Sequence, residues 1–523
     1  MARNYPLVSL RNGILCGVTL VNIAVIVLGI VHSVHWFWAS PILILLAISA
    51  YYNAFQKHHA ILRNFPVLGL FRYFFESIRP ELRQYFWESD TDGRPFNRRQ
   101  RSIVYQRAKN VLETVAFGMQ TDPNQPGNEW VSHSVFPSHI LQQDLRVNVG
   151  NEQCKRPYSL SIFNISAMSY GALSKTAIMS LNKGAAIGKF AHNTGEGGIS
   201  EYHLQGGDLI WQVGTGYFGC RDLDGNFSPE LFKKTSRMES VKMIELKLSQ
   251  GAKPGHGGIL PAAKNTPEVA AIRNVEPGTH VLSPPAHKAF TNPVEMMKFI
   301  GQLRTLSDYK PVGFKICIGD KQEFIDICQA IEVTGIYPDF ITIDGAEGGT
   351  GASPLEFTDN LGMPLYDALA FVTETLRNFK IKEKIRILVA GKIITGFDIL
   401  KVISLGADAC YSGRGMMFAL GCIQALKCNE DSCPVGVATQ NPKLYRGIDV
   451  TDKKQRVAQF HKNTIRATLE IMEACGFQGL KDVKPSKFYR KVDSIQTLSF
   501  EEIYFNNQNQ GRNNQFLKPE LLN

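Results

Sequence analysis

Residues 386–415 read RILVAGKIITGFDILKVISLGADACYSGRG. Two short apolar runs, RILVA at 386–390 and DACYS at 408–412, are each followed by glycine, with a helical stretch between them. Short apolar runs bounded by glycine read as buried strands, and strands alternating with helices read as a parallel sheet. Working outward, SLSIFNI (159–165), KFAHN (189–193), MIELKL (243–248), HVLS (280–283), VGFKIC (312–317) and FITID (340–344) repeat the pattern. Eight such runs predict an α/β fold, a (β/α)8 barrel of the TIM type, with the two opening runs as its seventh and eighth strands.

In such barrels the functional groups sit in the loops after the strands, and phosphate is commonly held after the last two. Ala390-Gly391-Lys392 and Ser412-Gly413-Arg414-Gly415 stand there. Glycine lets backbone N–H groups approach a phosphate, and Lys392 or Arg414 adds charge, so a phosphate-bearing cofactor is expected.

The N-terminus has another character. From residue 12 to residue 56 there is no Asp, Glu, Lys or Arg, about twice the length that one bilayer crossing needs. The pattern predicts a two-helix transmembrane hairpin over 1–56, with spans near 13–33 and 38–54 and tryptophans at the turn. Arg3 and Arg11 flank one end and Lys57 and Arg63 the other, which places both termini, and hence the bulk of the chain, on the cytoplasmic side of the cell (inner) membrane. A cleaved signal peptide would show one apolar stretch, not two. Most of the net charge of +10 falls in residues 1–110, where basic residues meet anionic lipid, so nucleic acid is not needed to explain it. FRYFFESIRPELRQYFWESD (71–90) reads as an interfacial helix or a packed amphipathic one.

The division that follows is a hairpin (1–56), a basic juxtamembrane segment (57–110), a lead-in (111–157), the barrel (158–480) and a C-terminal tail (481–523). An amphipathic helix is expected over 454–477, and the NNQNQGRNNQ stretch reads as polar and mobile. Cytoplasmic thiols stay reduced, so CIQALKCNEDSCPVGVATQ (422–440), with three of the chain's ten cysteines, reads as a metal or redox site.

Four further stretches are dense in glycine and polar residues: SAMSYGALSKTA (166–177), HNTGEGGIS (192–200), KLSQGAKPGHGGILP (247–261) and DGAEGGTGASP (344–354). With LVAGKIITG and the cysteine stretch, in this order, they resemble the FMN-binding synthase domain of glutamate synthase over about residues 150–480. The resemblance implies an oxidoreductase acting on CH–NH2 donors that takes 2-oxoglutarate and ammonia to glutamate through a 2-imino acid. It implies FMN, contacted by Ala167, Met168 and Ser169 with Gln250 and Lys247 near its reactive edge, and its phosphate at Gly391, Gly413 and Arg414; Lys315, a charge inside the apolar VGFKIC run that is costly to bury unpaired, is expected to point at the flavin or the substrate. It implies a 3Fe-4S cluster on Cys422, Cys428 and Cys433, thiolates being the usual iron–sulfur ligands. Catalytic roles fall to Lys247, Glu196, Gln250, Lys253 and Arg273, the cations gripping substrate carboxylates and Glu196 orienting the imine or passing it a proton.

Complete members carry a glutaminase domain with an N-terminal cysteine and a β-helical domain, and this chain is expected to have neither. No second nucleotide-binding signature stands out, so a separate electron donor is expected: a ferredoxin, a flavoprotein or a membrane carrier. Departures from the family's motifs border the substrate pocket: His256 in place of an acidic residue, SPPAHKAF, and an inserted Ala346-Glu347. They leave open the same cofactors acting on a different amine or 2-oxo acid, or an electron-transfer subunit of a membrane complex.

Overall fold

The computed structural model describes residues 10–112, 114–141 and 144–505; the NNQNQGRNNQ stretch lies outside them. The chain forms two compact units that divide between Arg98 and Arg99.

In the first unit, Leu10–Val31 and Ser40–Phe55 are helices joined by a 3-10 turn, Val34–Ala39. Leu10–Val31 and the stretch Val34–Phe55 are each 22 residues long and apolar enough to cross a membrane; at 1.5 Å per residue that is about 33 Å, a hydrocarbon core's thickness. Two of their polar side chains reach across from one to the other. Asn22 Nδ2 donates to the Leu43 carbonyl (3.1 Å) and Thr19 shares a 2.8 Å hydrogen bond with Tyr51. The turn folds back because residue 29 is glycine: a Cβ there would lie 2.8 Å from the Phe37 ring. The helix expected over 71–90 spans Leu68–Leu82 and runs into a π-helical turn, Arg83–Trp87, with Phe71, Phe74, Phe75, Tyr85, Phe86 and Trp87 all exposed.

The second unit is the barrel. Its strands are β1 (Phe163–Ile165), β2 (His192–Asn193), β3 (Leu209–Val213), β4 (Val241–Lys247), β5 (Val312–Ile316), β6 (Phe340–Asp344), β7 (Arg386–Ala390) and β8 (Ala409–Ser412), closed in chain order. Two expectations need correction. HVLS is not a barrel strand: only Val281 and Leu282 pair, antiparallel to Ile259–Leu260, within the excursion that joins β4 to β5. The true third strand is LIWQV, 209–213, pairing parallel with β2 and β4. The run at 159–165 is also split, since Tyr158–Ser161 pairs antiparallel with Arg146–Val149 before β1 begins.

That small hairpin plugs the barrel floor. Val149 and Leu160 pack with Ile210, Met243, Phe340, Leu388 and Ala409. Side chains alternate along a strand, so β4 sends Met243, Glu245 and Lys247 to the same face: an oily floor, a buried acid, then a cation at the mouth. Glu245 accepts from Asn193 (2.8 Å), Gln212 (2.6 Å), Thr342 (2.6 Å) and Tyr411 (3.4 Å), one donor from each of β2, β3, β6 and β8.

The helix expected over 454–477 spans Val450–Ala474 and packs on Lys175–Gly188, where a Cβ on Gly184 would fall 2.6 Å from Val457. Residues from the lead-in and the tail meet outside the barrel: Glu129–Val131 pairs with Phe488–Lys491, which pairs with Thr497–Ser499.

Candidate active site

The loops after β1, β2, β4 and β6 carry the four glycine-dense stretches to one end of the barrel. Their centre is Glu196. Its Oε1 lies 2.9 Å from Lys247 Nζ at the end of β4, and the carboxylate fits because its neighbours are glycines. A Cβ on Gly214 or on Gly258 would sit 2.7 Å from one or the other of its oxygens. Burial alone would raise the pKa of Glu196, but Lys247, Lys253 and Arg273 outweigh it and hold the acid below its ordinary value. Burial lowers Lys253 to about 8, with Lys247 adding to the effect and Glu196 opposing it. Arg273 is lowered to about 10 by burial, again against Glu196. One carboxylate therefore faces three buried cations, an excess of positive charge matched to a dianion.

Arg273 ends the helix Pro267–Arg273 in the β4–β5 excursion. Its Nη2 donates to the Tyr170 carbonyl (3.2 Å) and the guanidinium stands 5.2 Å over the Phe218 ring. It lies against the GEGG loop, where a Cβ on Gly197 would be 2.8 Å from Nη2. Arg273 Nε and Gln250 Nε2 are both buried and meet no hydrogen-bond partner among the described residues. Buried donors left unpaired are costly, and two at one mouth mark where a ligand supplies acceptors.

Below them, Lys315 on β5 pairs with Asp344 at 3.1 Å, and Asp344 also accepts from the Gly251 amide (3.0 Å). Burial would lower Lys315, but Asp344, Glu245 and Glu196 raise it above its ordinary value. The loop of Ala167, Met168 and Ser169 is held from both sides: Met168 N donates to the Asn193 carbonyl (3.0 Å), and the Met168 carbonyl lies 3.0 Å from His203 Nε2. Burial lowers His203 to about 4, so it is a neutral ring. Its Nδ1 accepts from Ser200 N (3.2 Å), leaving Nε2–H to donate to Met168.

Gly391 has φ +158 and Lys392 φ +52, and a Cβ on Gly413 would meet the Met168 methyl at 3.4 Å and Ser166 at 3.5 Å, ordinary contact distances. Arg414 donates through Nη2 to the Glu347 carbonyl (2.5 Å) and lies where a Cβ on Gly349 would meet Nε at 2.9 Å. The glycine cradle and the unpaired Gln250 fit a flavin phosphate and ring.

A family model described as "Conserved region in glutamate synthase" matches residues 131–478. The chain belongs to the glutamate synthase family. "Glutamate synthase large subunit-like protein YerD" of Bacillus subtilis is 39% identical over 482 residues, 84% of this chain and 91% of the relative. The "Archaeal glutamate synthase (NADPH)" of Methanocaldococcus jannaschii is 34% identical over 368 residues, 70% of this chain and 68% of the relative. A solved flavocytochrome b2 variant with pyruvate bound is similar at 12% identity and a TM-score of 0.43, covering 85% of this chain and 93% of the other, a likeness too slight to add to the strand order. Relatives named as synthases make this an enzyme family of oxidoreductases.

In this glutamate synthase-family chain, the cysteine loop runs on from the helix Arg414–Ala419, after β8. Cys433 is buried and Cys422 and Cys428 half-buried, all three as free thiols. Burial pushes Cys422 up to about 12, and the nearby Cys428 and Cys433 add to it, while the Gln424 amide and Arg101 oppose. Among the described residues no three His, Cys, Asp or Glu side chains converge on a single ion. The Gln424 amide directed at Cys422 Sγ (3.4 Å) and the cation Lys264 nearby suit a cluster of negative charge.

The inserted Glu347 is tied to a helix start: both its oxygens accept from the Leu365 amide (3.1 and 3.3 Å), at the N-terminus of the helix Leu365–Asn378, beside Gly391. From SPPAHKAF, His287 comes under Lys247, its Nε2 2.8 Å from the Lys247 carbonyl. His256 turns Nδ1 to the neighbouring Gly257 carbonyl (2.9 Å) and packs edge-on against Phe357. Glu245, His203 and His287 are the site residues that the sequence reading did not assign. Only Glu245 left a signal, as an acid at an inward position of an apolar strand.

Proposed function

We propose that the protein is an FMN- and iron–sulfur-dependent reductase of 2-imino acids that forms glutamate from 2-oxoglutarate and ammonia. The observation that carries this reading is the buried set of Lys247, Lys253 and Arg273 around Glu196, with Arg273 Nε and Gln250 Nε2 unpaired beside it. FMN, when bound, supplies the hydride, and the cluster on Cys422, Cys428 and Cys433 supplies electrons one at a time.

The chain's own residues do the rest. Arg273 and Lys253 draw in the two carboxylates, Arg with a fork of donors and Lys as a point charge. Glu196, kept ionised, accepts from Lys247 Nζ on one oxygen and turns the other to the N–H bonds of the imine, fixing which face meets the flavin. Lys247 Nζ holds the proton closest to the new amine. Burial keeps water from the carbon to be reduced. Glu347, tied to a helix start, gives no reason to assign another oxo acid.

The hairpin and the aromatic, arginine-bearing helix Leu68–Leu82 support attachment to the cell membrane with the barrel on the cytoplasmic side, its electrons coming from a separate donor. Two tests suffice. Detergent-purified protein, reduced anaerobically with dithionite and mixed with 2-oxoglutarate and ammonium, should regain its flavin absorbance and yield glutamate; a flavin that stays reduced, or none at all, refutes the reaction. The chain should stay with membranes through an alkaline carbonate wash, and its release would refute the anchoring.

A further inference from the structure

Lys264 ends the short 3-10 turn Ala262–Lys264 in the β4–β5 excursion and is 2% exposed. Its Nζ donates to two carbonyls of different loops, Ala172 (2.9 Å) and Cys428 (2.7 Å). One belongs to the loop that begins with Ala167, Met168 and Ser169, the other to the cysteine loop. The flanking carbonyls, Gly171 and Leu173, are also bonded from the cysteine-loop side, by the neutral amide of Gln440 (3.1 and 2.8 Å). A third tie runs from Ser174 N to the Val437 carbonyl (3.0 Å). A neutral donor therefore satisfies this stretch of backbone at two of three positions. At the third, next to Cys428, the chain buries a full positive charge, which a need for hydrogen bonds alone does not require. The acidic groups that it faces are the Asp431 carboxylate and the thiols of Cys428 and Cys433, which become thiolates when they bind metal.

We propose that Lys264 is a positioning residue that clamps the cysteine loop to the loop after β1 and raises the reduction potential of the group held by Cys422, Cys428 and Cys433. The inference rests on the iron–sulfur reading above. Each electron added to that group adds one negative charge, and a fixed cation beside it favours the reduced state. Lys264 thus makes electrons easier to place on the cysteine loop, beside the carbonyls that lead to the flavin-facing residues.

The test is a potentiometric titration with dithionite of full-length, detergent-purified protein, followed by electron paramagnetic resonance, with iron and labile sulfide measured on the same samples. In Lys264→Met the one-electron equilibrium should shift about tenfold toward the oxidised form, ~59 mV lower. Lys264→Arg should stay within about threefold of the parent, as should Gln440→Leu, which cuts a neutral tie between the same loops. A midpoint unmoved in Lys264→Met, with iron at the parental level, overturns the inference alone. An equal shift in Gln440→Leu also overturns it, because loosening rather than charge would then be responsible. Should Lys264→Met lose its iron, retention by Lys264→Arg supports the role of the charge and loss in both refutes it. A parent protein without iron or sulfide removes the cluster reading and this inference with it.

Discussion

Lys253 is a cation that the fold holds at a cost, and replacing it by methionine should make the protein more stable and less able to bind its substrate. The side chain is 2% exposed, and burial lowers its pKa from 10.5 to about 8, only partly offset by Glu196. At 1.36 kcal/mol per pKa unit this is ~3 kcal/mol against the charged form. The sign follows from proton counts. Between pH 8 and 10.5 the unfolded chain holds more protons than the folded one, so stability rises with pH there. Below pH 8 both states are charged and the whole penalty applies. Lys253→Met, similar in length and uncharged, removes it. For a unit of some 400 residues, ~3 kcal/mol corresponds to about 3 °C in Tm. In detergent, without substrate, the variant should melt about 3 °C above the parent at pH 7, the gap falling to about two thirds at pH 9 and closing near pH 10.5. Its KM for 2-oxoglutarate should rise at least about tenfold through loss of a buried charge pair. A variant that melts below the parent at pH 7, or a gap that ignores pH, would show that Lys253 is compensated in the free protein and refute the reasoning.

Other outcomes can be stated more briefly. Asp344→Asn leaves Lys315 buried without its 3.1 Å partner and should cost about 3–5 kcal/mol, seen as a lower Tm that partly recovers at alkaline pH as Lys315 sheds its proton. Glu196→Gln removes the acid that holds Lys253 up, so the pH above which kcat/KM for the dianion falls should move below about 8; a break that stays in place would separate the two residues. Gly251→Ala puts a Cβ 1.7 Å from the Gly345 carbonyl, backbone against backbone, and should lower kcat/KM more than about tenfold by driving apart the loops after β4 and β6. Full activity in that variant would mean that the loops are free to separate.

Seven of the eight barrel strands could be read from apolar runs, and the eighth could not, for a physical reason. LIWQV carries Gln212 inward to Glu245, and a polar residue at a core position hides the period on which such a reading depends. HVLS looked better in composition, yet only two of its residues pair. Local sequence does not say whether an apolar run joins the barrel or a small hairpin above it. The motif residues were legible because their chemistry is spelled out in glycine-rich runs. His203 and His287 were not, since each reaches the site through a hydrogen bond to a backbone carbonyl, a role that composition does not announce.

The chain between β4 and β5 bears Lys253, Lys264, Arg273 and His287, whereas Met168 and the glycines proposed to hold the flavin and its phosphate lie on other loops. On the proposed reading, most of the substrate-facing cations thus share one stretch, with Gln250 as its contribution to the flavin side. Exchanging residues 248–292 between relatives would be the economical way to transplant a new acceptor onto this scaffold, provided that Gly251 and the lysine at 264 travel with the graft, since they lock it to its neighbours.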